Sequence, residues 1–128
     1  MNKRIILTTA ILGILTVCLG AFGAHALKVR VSADALALWK TGVEYHFYHT
    51  LALLFLGLVP AGNQRYIRIG GRCLLAGVIL FSGSLYLLAL REVLGGGYGS
   101  ILGPVTPIGG LLFITGWFCI FLAALKTK

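Results

Sequence analysis

Three stretches of this chain, residues 5–23, 73–90 and 107–125, carry no charged residue at all. An α-helix rises about 1.5 Å per residue, and the hydrocarbon core of a bilayer is about 30 Å thick. About 20 mostly apolar residues therefore cross it. A fourth stretch, residues 42–59, is apolar except for Glu44, His46 and His49 in its first two turns. Lipid offers no partner to backbone N–H and C=O groups, so each stretch must be a helix that satisfies its own. Barrel strands would be shorter and would alternate polar with apolar. The sequence thus predicts an all-α integral membrane four-helix bundle, a single polytopic domain over residues 1–128. Composition agrees, with 59% hydrophobic and only 11% charged residues. An average soluble domain has roughly 25% charged residues. An ordinary soluble enzyme and a disordered chain are both excluded.

The boundaries are read from turn chemistry. Pro60-Ala61-Gly62-Asn63 is predicted to end the second helix, Gly70-Gly71 to precede the third, and the glycines of residues 95–99 to follow it. Thr106-Pro107 reads as an N-cap followed by proline at the first helical position. Lys3-Arg4, the apolar run and Ala24-His25-Ala26 also look like a cleavable secretion signal. The run is longer than the usual ~7–15 residues of such a signal, so retention as a span is expected.

The net charge of +8 comes from 11 Lys+Arg against 3 Asp+Glu. Four spans place the N-terminus, the loop between spans two and three, and the C-terminus on one side. That side holds Lys3, Arg4, Arg65, Arg68, Arg72, Lys126 and Lys128. The other holds Lys28, Arg30, Lys40 and Arg91. Basic excess marks the cytoplasmic side, so both termini are expected there. Charge dispersed at helix ends is a topology signal, and no nucleic-acid partner is expected. Arg65, Arg68 and Arg72 read as lipid-headgroup anchors on the bilayer. Cys18, Cys73 and Cys119 lie in separate spans with no C-x-x-C pair, which points to packing rather than zinc or a disulfide.

Helices in lipid associate through small residues. Gly13, Gly20 and Gly23 fall on one face of the first span, Gly77 and Ser84 on the third, and Gly109 and Gly116 on the fourth. These faces are expected to pack inside the monomer. Another face could serve a membrane-protein partner or a second copy. Residues 33–40, with Ser32 as cap, read equally as a short interfacial helix between the first two spans or as an extension of the second.

His25, Glu44, His46, His49 and Glu92 all fall at or near the outer ends of the predicted spans. Ionisable groups within a span are costly and are functional suspects. They are candidates for a ligand or polar site, or for an interhelical hydrogen-bond network. His46 and His49 share a helical face, but there is no His-Glu-x-x-His pattern. No metal, cofactor or catalytic residue is expected. The favoured function is a non-enzymatic membrane protein that binds a partner or stabilises an assembly. Two alternatives stay open: a small-ligand, proton, quinone or lipid site at the His/Glu cluster, and a haem or metal redox protein.

Four motifs carry a resemblance. They are Gly20-Ala21-Phe22-Gly23-Ala24-His25-Ala26-Leu27, Trp39-Lys40-Thr41-Gly42-Val43-Glu44-Tyr45-His46-Phe47-Tyr48-His49-Thr50, Phe81-Ser82-Gly83-Ser84-Leu85-Tyr86, and Gly103-Pro104-Val105-Thr106-Pro107-Ile108-Gly109-Gly110. The chain resembles the domain-of-unknown-function 423 family, also called uncharacterised protein family 0382, small multi-pass inner-membrane proteins of bacteria. A similar eukaryotic transmembrane protein is mitochondrial. The resemblance implies a polytopic membrane protein of a bacterial inner membrane and no particular activity. His25, Glu44, His46, His49 and Pro107 lie within its motifs.

Overall fold

The computed structural model describes residues 1–59 and 64–126, all of whose regular structure is helical. The expected helix end at residues 60–63, and Lys128, lie outside the described residues. α1 (Lys3–Phe22) starts at Asn2, whose Oδ1 accepts from Ile5 N at 3.3 Å. A π-turn, Gly23–Leu27, prolongs it. α2 (Ala33–Leu58) follows, then α3 (Gln64–Gly77), a second π-turn (Val78–Ser82) and α4 (Gly83–Leu94). The last three form one continuous rod. α5 (Gly99–Leu125) closes the chain. Counting the rod once gives the four-helix bundle expected. Lys3–Leu27, Arg65–Leu94 and Gly99–Leu125 are each long and apolar enough to cross a membrane. α2 is as long, at 26 residues, but Glu44 and the histidines dilute its apolar density.

Two starts differ from expectation, and a third is decided between open alternatives. α2 takes in residues 33–40 as an extension of the second span rather than following a separate interfacial helix. It runs unbroken from Ala33, because Ser32 Oγ accepts from Ala35 N at 3.2 Å and caps it there. Gly42 stays helical and makes room for Tyr86, whose Cε1 lies 2.8 Å from where a Cβ would stand. Gly70-Gly71 does not precede the third helix but lies inside α3. A Cβ at Gly70 would stand 3.1 Å from the Gly116 carbonyl oxygen, so this glycine is a helix crossing point. Finally, α5 begins at Gly99, after Gly95 and Gly96 turn the chain with φ of +70° and +119°. Pro104 and Pro107 therefore sit within the helix. Each removes one i→i−4 donor, which membrane helices tolerate when neighbours supply substitutes. Thr106, expected as an N-cap, instead donates to the Leu102 carbonyl at 3.4 Å and bonds Ser84 Oγ at 2.7 Å.

α2 is central. It runs antiparallel to α1: Asn2 N donates to the Gly57 carbonyl at 2.8 Å, Gly20 meets Val43, and Gly23 meets Trp39. α3 packs chiefly on α5, and α4 chiefly on α2 and α5. Glycines set these distances. A Cβ at Gly23 would lie 2.5 Å from the Trp39 indole, one at Gly77 2.5 Å from Phe113, and one at Gly116 2.5 Å from Leu74. One at Gly109 would run into the Phe81 backbone. Gly13 faces open space, so the predicted face of α1 begins at Gly20 rather than there. Two apolar clusters result. One contains Leu53, Leu56, Leu74, Val78 and Phe113, toward the N-terminal end of α1. The other contains Leu27, Ala35, Trp39 and Ala89, at the opposite end. Between them on α2 lie buried His46, His49 and Thr50.

Gly109→Ala should destabilise the bundle by roughly 1–3 kcal/mol, the usual cost of overpacking. Gly13→Ala should change stability by under about 1 kcal/mol and in the favourable direction, from helix propensity alone. Thermal unfolding in detergent compares them, and coincident midpoints would contradict the α5 crossing.

Candidate functional site

The early start of α2 changes the depth of its polar residues. A helix beginning at residue 42 would put His46 and His49 in its outer half. One beginning at Ala33 and ending at Leu58 puts them near its middle. Both are buried, at 4% and 5% exposure. Tyr45, Phe47 and Tyr48, between and beside them, face outward.

His49 is fully committed. Its ring lies flat on Phe113, with centroids 3.5 Å apart and planes 6° from parallel. Trp117 Nε1 donates to His49 Nε2 at 3.2 Å. An indole N–H can only donate, so Nε2 is bare and the proton resides on Nδ1. Nδ1 then donates to the Tyr45 carbonyl at 2.7 Å, one helical turn back. This is a neutral imidazole with both nitrogens satisfied. A second proton would set two donors face to face at Trp117.

His46 points to another side of α2. Its Nδ1 shares a 3.0 Å hydrogen bond with the Tyr86 hydroxyl on α4. Its Nε2 is buried near the Leu12 backbone of α1 without completing a hydrogen bond among the described residues. The Thr16 hydroxyl already donates to the Leu12 carbonyl at 2.7 Å. Thr50 Oγ1 in turn donates to the His46 carbonyl at 2.8 Å. His46 thus joins α2 to α4 and lies against α1, while His49 joins α2 to α5.

The other candidates lie elsewhere. Glu92 caps α2 from the end of α4: Ser32 N donates to Oε2 at 2.7 Å, and Ser32 Oγ to Oε1 at 2.6 Å. A carboxylate at a helix N-terminus complements its dipole. His25 is exposed in the first π-turn, and Glu44 is exposed on the outward face of α2. The five residues therefore do not gather around one cavity. No three His, Cys, Asp or Glu side chains among the described residues stand as a metal-ligand set. What the sequence reading missed is a groove of about 750 Å³ between α2 and α5. Tyr45, Tyr48, His49, Phe81, Phe113 and Trp117 line it. Its aromatic residues were visible, but only the crossing of α5 over the rod assembles them.

Helices of this length and polarity, with buried imidazoles bonded between them, define an all-α multi-pass membrane protein. Residues 19–110 match the family described as "Protein of unknown function (DUF423)". The chain belongs to this family. It is 40% identical over 126 residues to the UPF0382 membrane protein YwdK of Bacillus subtilis, covering 97% of this chain and 98% of that one. It is 39% identical to a UPF0382 membrane protein of Staphylococcus aureus, covering 97% of both chains. A UPF0382 membrane protein of Haemophilus influenzae is 36% identical over all of this chain and 98% of its own. No solved structure matches.

Trp117→Phe leaves His49 Nε2 without its donor and should cost about 0.5–2 kcal/mol, the range of interhelical hydrogen bonds in membranes. Glu92→Ala removes the two acceptors that hold the capping residue Ser32 and should cost about 1 kcal/mol. Unfolding titrations in mixed micelles measure both. Unchanged stability of Trp117→Phe would remove the indole–imidazole bond from the account.

Proposed function

We propose that this protein is a non-catalytic membrane component that assembles with another transmembrane helix along the outward face of α2, beside the α2–α5 groove. The observation that carries this reading is Glu44. It is exposed on a helix packed between membrane-spanning elements, with no hydrogen-bond or ion-pair partner among the described residues. A carboxylate presented to lipid is costly unless a partner receives it. Tyr45 and Tyr48 flank it, at 39% and 55% exposure. His49, by contrast, spends both nitrogens internally, which suits a structural role better than a proton or solute path.

A photoreactive side chain at position 48 should give a protein adduct in native membranes, including a dimer if the partner is a second copy. The same group at Ile11, on exposed α1, should give lipid adducts only. Glu44→Leu should weaken the adduct at position 48. Lipid adducts alone at both positions would overturn the proposal.

The groove volume favours one second reading, a lipophilic small molecule such as a quinone or a lipid. Its size lies within the roughly 300–1,000 Å³ typical of ligand sites. Solvent extracts of gently purified protein should then contain a bound species that a groove-filling Gly110→Leu variant lacks.

The membrane in this proposal is the bacterial inner membrane, crossed four times with both termini in the cytoplasm. Six described basic residues, Lys3, Arg4, Arg65, Arg68, Arg72 and Lys126, support that orientation. A phosphatase fused after Lys128 should be inactive, and activity there would reverse the orientation.

A further inference from the structure

At the end of the bundle holding the N-terminus, α1 and α3 leave a second groove, of about 470 Å³. It opens because α1 packs along α2 and closely on no other long helix, while α3 packs chiefly on α5. Arg4 enters it from α1, and Arg68 and Arg72 from α3. Arg68 and Arg72 are four residues apart and so share a helical face. Ile5, Leu53 and Leu75 supply apolar wall and floor.

The three guanidinium groups are exposed, and none has a carboxylate partner among the described residues. Among the described residues the acidic ones are Asp34, Glu44 and Glu92. Asp34 and Glu92 lie at the start of α2 and the end of α4, and Glu44 lies near the middle of α2. The antiparallel pairing of α1 with α2 puts them away from Arg4. Nothing within the described fold neutralises this end. Asn2 adds a further donor, because Ile5 N uses its Oδ1 and leaves its side-chain amide N–H free.

We propose that this groove binds one anionic phospholipid. The headgroup phosphate sits among Arg4, Arg68 and Arg72, and the first acyl carbons lie on Ile5, Leu53 and Leu75. Guanidinium forks match phosphate oxygens in geometry as well as charge. Basic pockets between spans on the inner side of a membrane suit such headgroups. The apolar wall favours a lipid over a soluble phosphate, which would leave it wet. Arg65 lies in the same helix but does not line the groove. The site is distant from the α2–α5 groove, so its failure would leave the assembly reading untouched.

Native mass spectrometry of the delipidated full-length protein tests it, using phosphatidylglycerol and phosphatidylcholine with identical chains. Wild type should take up one phosphatidylglycerol, at least about tenfold more tightly than phosphatidylcholine. The R4Q/R68Q/R72Q variant should lose that preference. Thr8→Phe, which fills the groove from its rim without changing charge, should lose it too. R65Q should keep it. Equal binding of the two lipids, or a preference surviving in both the triple variant and Thr8→Phe, would overturn the proposal. So would full displacement by an equal concentration of glycerol 3-phosphate, which would assign the groove to a soluble phosphate.

Discussion

The absence of a side chain at Gly77 governs much of this bundle. Helices in lipid gain little from burying apolar surface against each other, so close packing must hold them. Gly77 admits the Phe113 ring to within 2.5 Å of where a Cβ would stand. Phe113 can then reach across to lie 3.5 Å from the His49 ring. Trp117, one turn along α5, meets the free nitrogen of that imidazole. A missing methyl on the rod thus fixes the position of α5, which fixes the tautomer of a histidine on α2. Gly109 and Gly116 hold the same crossing on either side of Phe113.

The architecture was largely legible because apolar runs report directly where lipid is. Helix ends were less so, because a helix continues past the hydrocarbon into the headgroup zone, where composition turns polar. Arg65, Arg68 and Arg72 are helical for that reason, as is Asp34. Gly70-Gly71 looked like a break, although glycine within a membrane helix more often marks close approach. The signal was present: Gly70 and Gly77 stand seven apart, as do Gly109 and Gly116, and both pairs lie on the α3–α5 seam, where Gly70 meets Gly116. The depth of His46 and His49 depended on whether residues 33–40 extend α2, which helical spacing alone left open.

The candidate site was legible as a set of residues and not as an arrangement. His46 and His49 sit three apart in sequence, yet serve different neighbours. Their partners Tyr86, Phe113 and Trp117 lie far along the chain, beyond the reach of helical spacing. The link between Ser32 and Glu92 spans 60 residues and has no local signature. It converts a suspected ligand residue into a clamp on the α1–α2 connection. The exposed Glu44 lies near the middle of α2, and the arginine groove opens at the end of the bundle that holds Asn2 and Arg4.

The π-turn at Val78–Ser82 acts as a phase shifter. One extra residue in a helical turn rotates everything beyond it by about 100°, since each residue of an α-helix advances that angle. α3 and α4 are continuous through this turn, yet they present their small-residue seams to different neighbours: Gly70 and Gly77 to α5, and Ala89 to the cluster around Leu27 and Trp39. A single rod can therefore join two layers that no uniform heptad could serve at once. Its sequence carries two periodicities spliced at five residues, and deletion of Ser82 alone would misalign an entire half of the bundle without removing any apolar side chain from its span.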